Sequence, residues 1–130
     1  MNRGIEFHDS EVTLIERLHD SVRVSFGPAY VHVSPGRPGI DAGEGHVQPA
    51  ELVFAAAECD GVPTDCAGAI SDGEVSVDGV TYSLLPVPFA ASGAVSAKFV
   101  FCSGAILKLT AKSVSCSLHG PSRFVESFAA

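Results

Sequence analysis

The sequence predicts an all-β protein: an antiparallel β-sandwich or a closed β-barrel of about ten short strands, with little or no helix. Three observations lead to this prediction. Apolar and polar residues alternate along most of the chain, which is the period of a half-buried strand. Turn-forming residues separate these alternating runs at short intervals. No segment shows a convincing apolar stripe of the kind that marks an amphipathic helix.

The first predicted hairpin joins the segments EVTLIERL and SVRVSF through a short polar link. Apolar residues occupy alternate positions in each segment, so each strand has one apolar and one polar face. A short polar link is typical of the turn between antiparallel strands. The residues expected on the apolar faces are Val12, Leu14, Leu18, Val22, Val24 and Phe26.

The strongest turn signal in the chain is the dipeptide Asp78-Gly79, which stands between two alternating segments. A type I′ turn requires positive φ at both central positions, and Asp-Gly is one of the pairs that accept it. Such a turn fixes the register of its hairpin. The pairs expected across it are Val77 with Val80 and Val75 with Tyr82, all on one buried face, and Ser76 with Thr81 on the other.

The segment AVSAKFVF continues the alternation, and Ser103-Gly104 is expected to turn the chain into the next strand. In that next strand the apolar parity changes near Lys112-Ser113. A change of parity indicates a bulge or a corner at that point. The residues of AVSAKFVF expected on one side are Val95, Ala97, Phe99 and Phe101.

Two further segments are predicted as strands. The stretch from Leu52 to Ala57 is expected to be a central strand, apolar on both faces, and a short helix is the alternative because alanine and leucine favour helices. The terminal RFVESF is expected to be a closing strand that packs Phe124 or Val125 against the core.

Length and composition predict one domain, residues 1–130, with a single core. The chain is 46% hydrophobic and 18% charged, which is typical of a globular protein. It carries 15 Asp and Glu against 8 Lys and Arg, a formal net charge of −7. Because clustered cations bind nucleic-acid phosphates and anionic lipids, we expect neither nucleic acid nor a membrane as a partner. A basic partner would be attracted.

The start of the chain and the cysteines bear on the compartment. MNRGIEFHDSEVTLIERLHD is charged throughout and lacks the apolar run of a signal peptide, so we expect a cytoplasmic protein. In that compartment thiols are the default state of cysteine. The 4 Cys include no pair at the close spacing of a zinc site. We therefore expect neither structural zinc nor another cofactor.

A candidate site lies in the segment AYVHVSPGRPGIDAGEGHVQ. If its two ends pair as a hairpin with its tip near Gly39, His32 lies opposite His46. Two imidazoles and a carboxylate can bind a divalent metal or act as an acid–base pair. The outer face of any antiparallel hairpin is polar, however, and we favour that interpretation. The side chains expected on or beside this polar face are Tyr30, His32, Asp41, Glu44, His46 and Gln48, with Val31, Val33 and Val47 on the core face.

The loop in this segment, SPGRPGIDAGEG, is predicted as an interaction surface. Long loops are uncommon in compact domains and tend to be functional. Arg37 stands between Pro35 and Pro38 and presents one cation that suits a carboxylate of a partner. The loop lacks the following helix and the lysine of a phosphate-binding loop, so we do not expect it to bind phosphate.

The motifs EFHDSEV, AYVHVSPGRPG, SLLPVP and RFVESF together resemble those of a group of small uncharacterised bacterial all-β proteins, over nearly the whole chain. This resemblance implies an all-β fold and a bacterial source, and it carries over no catalytic or binding residue. In size and acidity the chain is also similar to the immunity proteins that neutralise bacterial toxins.

Two functional hypotheses follow. In the favoured one, the protein is a non-enzymatic binding or protein-interaction module, a homodimer, acting through the 34–46 loop and its acidic surface. In the alternative, it is a metal-binding or small-ligand-binding protein, or a hydrolase, that uses the face of His32, His46, Asp41 and Glu44. The absence of a recognisable catalytic motif favours the first. The candidate binding residues are Tyr30, His32, Arg37, Asp41, Glu44, His46 and Gln48.

Overall fold

A computed structural model describes residues 1–60 and 66–129. In that part of the chain there is no helix, and therefore none that is long and apolar enough to cross a membrane. The strands, in chain order, are β1 (Asn2–Glu6), β2 (Glu11–Leu18), β3 (Ser21–Ser34), β4 (Gly43–Ala55), β5 (Glu58–Asp60), β6 (Gly68–Val77), β7 (Val80–Tyr82), β8 (Leu84–Val87), β9 (Phe89–Phe101), β10 (Ile106–Leu118) and β11 (Arg123–Phe128).

Six strands close into an antiparallel barrel in the order β4, β10, β9, β6, β2, β3, and the pairing of β3 with β4 completes the ring. The all-β prediction is confirmed, and of the two predicted architectures the closed barrel is the correct one. β1 and β8 extend the sheet beyond β3, while β11 extends it beyond β4. Two short strands are side branches: β5 pairs with β10 and β7 pairs with β6.

The barrel core is apolar because alternate residues of each strand point inward. Three aromatic rings meet in it: the ring centroids of Phe7 and Phe99 lie 5.2 Å apart, and those of Phe26 and Phe99 lie 6.5 Å apart. The predicted inward set of AVSAKFVF is confirmed. All four of its members are buried, as are four of the six residues predicted for the first hairpin, namely Val12, Val22, Val24 and Phe26.

The hairpin of β2 and β3 is confirmed, but the predicted burial of its first strand is partly wrong. Val12 is buried, whereas Leu14 is 50% exposed and Leu18 is also exposed. The pairing shifts between Val12 and Leu14. A bulge adds one residue to one strand, and it therefore exchanges the faces of every residue that follows. Ile15 packs against the core in place of Leu14.

The Asp78-Gly79 turn is confirmed, with φ of 49° at Asp78 and 83° at Gly79. The predicted pairs across it are confirmed as well, and Ser76 and Thr81 share a 2.7 Å hydrogen bond between their hydroxyls. Of the four apolar partners predicted to be buried, Val75 is buried, Val77 and Tyr82 are partly buried against the core, and Val80 is exposed, so the prediction is wrong for Val80. Val80 is the first residue after the turn, and it belongs to β7, a side branch of the sheet that pairs with β6.

The predicted strand from Leu52 to Ala57 is the end of β4, which stops two residues earlier at Ala55, and the helix alternative is wrong. Leu52 and Phe54 are fully buried, while Val53 and Ala55 on the other face are half-buried. The predicted change of parity in β10 is also confirmed, because its pairing with β9 shifts between Ala111 and Ser113.

Candidate functional site

The two histidines of the predicted site lie on opposite faces of the sheet. β3 and β4 form the predicted hairpin, but His32 pairs with Gly45, and His46 pairs with Val31. The predicted register, with His32 opposite His46 and Tyr30 opposite Gln48, is therefore wrong by one residue. Because side chains alternate between faces, a slip of one residue separates the two imidazoles.

The loop geometry explains this slip. Residues 35–42 form a braced turn in which the amide groups of Ile40 and Asp41 both donate to the carbonyl of Arg37. The Ser34 hydroxyl donates to the carbonyl of Ala42 across the base of the loop, at 2.7 Å. Sequence alone does not fix such a turn, because loops of this length have many conformations.

The first polar group surrounds His32, where β1, β3, β4 and β11 lie side by side. The Nε2 atom of His32 lies 3.1 Å from a carboxylate oxygen of Glu6. The imidazole stands between two aromatic rings, with centroid distances of 5.2 Å to Tyr30 and 5.3 Å to Phe128. Phe128 belongs to β11, so this group connects the C-terminal strand to β3.

The hydroxyl of Tyr30 donates a 2.5 Å hydrogen bond to Glu126, also in β11. Gly45 makes this possible, because a Cβ atom at that position would collide with the Tyr30 hydroxyl. Tyr30 is 7% exposed. Its burial raises the pKa of the phenol above the usual value of 10.0, and the hydrogen bond to Glu126 and nearby acidic charges add to the rise. The phenol therefore remains a donor to Glu126 at neutral pH.

The second polar group surrounds His46 on the opposite face. Its Nε2 atom lies 2.9 Å from a carboxylate oxygen of Glu44, and its Nδ1 atom lies 3.0 Å from the hydroxyl of Ser122. The ring packs edge-on against Phe124 of β11, at a centroid distance of 5.6 Å. Nearby, the side-chain amide of Gln48 donates to the carbonyl of Gly120 at 2.9 Å.

Tyr30, His32, His46 and Gln48 thus share one structural role, since each contacts β11 or the turn that precedes it. The side chains predicted to form one polar face therefore contact the C-terminal strand or its preceding turn from both faces of the sheet. The sequence does not predict this role, because β11 pairs with β4, which is distant in the chain. The alternation within RFVESF predicts a strand but does not name its neighbour.

Arg37 and Asp41 remain in the loop and do not approach either histidine group through any described contact. The Asp41 carboxylate accepts a 2.7 Å hydrogen bond from the backbone amide of Arg37 and lies 3.4 Å from its Nε atom. The backbone hydrogen bond is the largest cause that holds the pKa of the Asp41 carboxyl below its usual value, and the side-chain hydrogen bond from Arg37 is the next. The pair braces the loop, and Ile40 at its tip is 67% exposed.

β11 itself differs from its prediction. It is the expected closing strand, but neither Phe124 nor Val125 is packed in the core: they are 54% and 46% exposed. Its pairing with β4 shifts between Phe124 and Glu126, so Val125 is the extra residue of a bulge. Among the described strands β11 pairs with β4, and its other side, the outer edge, has no strand against it.

A further set of possible metal ligands lies at the end of β1. Within residues 1–60 and 66–129, the ligand atoms of Glu6, His8 and Asp9 lie within 4.8 Å of one another. His8 and Asp9 are exposed, and exposed acidic groups commonly occur together without an ion. Ser10 beside them is buried, and its hydroxyl donates to the carbonyl of Glu6 and accepts from the amide of Tyr30.

Two cysteines differ enough in environment to predict their reactivity. Cys102 is exposed, whereas burial raises the pKa of the Cys116 thiol to about 12. Because the thiolate is the reactive form, iodoacetamide should modify Cys102 in the folded protein and Cys116 only after unfolding. Peptide mass spectrometry before and after denaturation measures this difference. Equal modification of both residues in the folded protein would contradict the burial of Cys116.

No protein-family model matches the chain, and neither the curated proteins nor the solved structures contain a match.

Proposed function

We propose that the protein is a non-enzymatic interaction module that binds a second copy of itself through the outer edge of β11. The observation that carries this proposal is the exposure of β11. It is an end strand whose backbone is paired on one side among the described strands, and it exposes Phe124 and Val125. Unpaired backbone amide and carbonyl groups at a sheet edge are a template for another strand.

The other end of the sheet is protected. β8 spans Leu84–Val87 and contains Pro86, which has no amide hydrogen to donate. β11 has six residues and no proline. The bulge at Val125 shortens the regular part of β11, so pairing would be confined to one short strand and would favour a closed dimer over a continuous sheet.

Charge complementarity favours a second copy as the partner. In a two-fold antiparallel pairing of β11 with itself, the register that sets Phe124 opposite Val125 also sets Arg123 opposite Glu126, twice. Residues paired across antiparallel strands share a face. The bulge places Arg123 and Glu126 on one face of β11, because they pair with Val47 and Gly45 of β4. The second carboxylate oxygen of Glu126 is then available to the partner's guanidinium.

Sedimentation equilibrium tests the proposal. We expect a mass of twice 13.4 kDa at high protein concentration. Phe124→Asp should shift the protein to the monomer, because it adds a charge and removes an apolar contact at the edge. Ile106→Asp is the matched control, since Ile106 is 50% exposed in β10, and it should leave the mass unchanged. A mass near 13.4 kDa for the unmodified protein at high concentration would overturn the proposal.

Within this proposal the 34–46 loop has a smaller part than the sequence predicts. Replacing residues 35–42 with a short Gly-Ser turn should lower the free energy of unfolding by about 1 kcal/mol or less, because loop length changes closure entropy slowly. The exposure of Ile40 supports this expectation. Urea denaturation measures the difference. A loss well above 1 kcal/mol, on the scale of about 1.5–3 kcal/mol for one buried aliphatic side chain, would identify the loop as a structural lid.

The alternative of a metal site or hydrolase on the His32 and His46 face gains no support from the register, because the two imidazoles lie on opposite faces. Each has a nearby carboxylate, Glu6 for His32 and Glu44 for His46, and each stands against an aromatic ring of β11. These contacts favour a structural role in holding β11.

A further inference from the structure

A groove lies at the end of the sheet opposite β11, between the 35–42 loop and the edge strand β8. Its volume is about 500 Å³, within the range of roughly 300–1,000 Å³ that is common for small-molecule sites. Apolar side chains form most of its surface, and its lining also includes two cationic residues, Arg3 and Arg37. The apolar lining residues are Pro38, Tyr82, Leu84, Pro86 and Val87.

The loop wall of this groove is held in place before any ligand binds. The side-chain amide of Asn2 donates a 2.7 Å hydrogen bond to the carbonyl of Gly36, which ties the loop to the start of β1. At Gly39, where φ is +81°, the loop passes close to Leu84, since a Cβ atom added there would lie 3.4 Å from the Leu84 side chain. A preorganised wall lowers the entropic cost of binding.

The charge of the groove is opposite to that of the chain. The chain carries 15 acidic and 8 basic residues, yet the groove lining includes two arginines and no Asp or Glu. The Arg37 guanidinium already has two long contacts with the Asp41 carboxylate, Nε to Oδ2 at 3.4 Å and Nη2 to Oδ1 at 3.5 Å, so a ligand would share Arg37 with Asp41. For Arg3, no carboxylate within residues 1–60 and 66–129 lies inside the 4.0 Å limit of an ion pair.

We infer that this groove binds a small amphipathic carboxylate, with its apolar chain along Leu84 and Pro86 and its carboxylate at Arg3 and Arg37. The guanidinium group suits a carboxylate because it offers two parallel donors in one plane. Free phosphate is not the preferred ligand, because it is strongly hydrated and has no apolar chain to bury against the wall. In a groove of this kind, burial of apolar surface supplies most of the binding free energy. The site is independent of the proposed dimer, since β8 and β11 are opposite ends of the strand order.

Dansyl-labelled undecanoic acid is a suitable probe, because its fluorescence rises in an apolar environment. We expect saturable binding of the probe by the full chain and displacement by decanoate. Decanol, which has the same chain without the charge, should displace it about fivefold less well, the effect of roughly 1 kcal/mol for one exposed ion pair. Equal displacement by decanoate and decanol would overturn the assignment of the carboxylate to the arginines.

Variants locate the site. The double variant Arg3→Gln, Arg37→Gln should weaken decanoate binding by about fivefold or more and leave decanol binding unchanged. Leu84→Asp should weaken binding of both. Arg17→Gln is the matched control, because Arg17 is an exposed arginine in β2 outside the groove.

Amide chemical shifts give a second measurement that does not depend on a variant's folding. On titration with decanoate, the amides of Gly36, Leu84 and Val87 should shift, while that of Ile106 in β10 should not. No probe binding, unchanged affinity in the double arginine variant, or shifts confined to other strands would each overturn the inference.

Discussion

Replacing Phe99 with alanine should lower the free energy of unfolding by about 3–5 kcal/mol, the range for removing a large aromatic side chain from a packed core. Phe99 is fully buried and packs edge-on against both Phe7 and Phe26. A Cβ atom at Gly73 would also collide with the Phe99 ring, so the backbone of β6 lies directly against it. Strands on several sides of the barrel surround Phe99, so we expect the cavity that the alanine leaves to remain largely open.

Urea denaturation of the two proteins measures this loss. Phe124→Ala is the matched comparison, since it removes the same side chain from a half-exposed position where its ring packs edge-on against His46. Measured at a protein concentration low enough to dissociate the proposed dimer, it should lower the free energy of unfolding by only about 0.5–1.5 kcal/mol, the range for one aromatic pair. A loss below about 1 kcal/mol for Phe99→Ala would show that the three rings do not form the core described here.

Replacing Glu126 with alanine should destabilise the protein by about 1–3 kcal/mol, because it leaves the buried hydroxyl of Tyr30 without its acceptor. Tyr30→Phe removes the donor instead, and Glu126 is exposed to water. The second change should therefore cost less, about 0.5–1.5 kcal/mol. Denaturation of both variants gives the order. A larger loss for Tyr30→Phe than for Glu126→Ala would contradict the burial of the Tyr30 hydroxyl.

The same pair predicts a loss of stability in alkali. The pKa of Tyr30 is raised in the folded protein above the value of 10.0 that applies when the chain is unfolded. The unfolded state therefore releases this proton first, and stability falls as the pH rises above about 10. Below that pH the contribution is fully present. Tyr30→Phe lacks this phenol, so its free energy of unfolding should fall less steeply between pH 9.5 and 11. The two slopes should differ by no more than about the value for one proton released on unfolding.

The alternation of side chains predicts most of the fold because it reports which face of each strand is buried. It predicts the β2–β3 hairpin, the Asp78-Gly79 turn and the shift in β10, all of which the structure contains. It fails at Leu14, where a bulge exchanges the two faces of the strand. The sequence indicates a bulge only where the apolar residues change from even to odd positions, or the reverse.

The candidate site shows a second limit of sequence analysis. Tyr30, His32 and His46 are correctly predicted as polar groups of one hairpin, but a loop of uncertain conformation leaves their register undetermined within one residue. Their contacts with β11 depend on pairing between strands far apart in the chain. No local pattern encodes such pairing, because it follows from closure of the whole sheet.

The two-fold pairing of β11 is tested most directly by a charge swap. Arg123→Glu alone should give a monomer, because it sets two acidic side chains opposite each other on both sides of the two-fold axis. Glu126→Arg alone should give a monomer for the corresponding reason, with circular dichroism checking that it remains folded. Mixed in equal amounts, the two variants restore both opposite-charge pairs. Sedimentation velocity should then show a dimer in the mixture and monomers in each variant alone, whereas dimers in either variant alone, or monomers in the mixture, would contradict association through this edge.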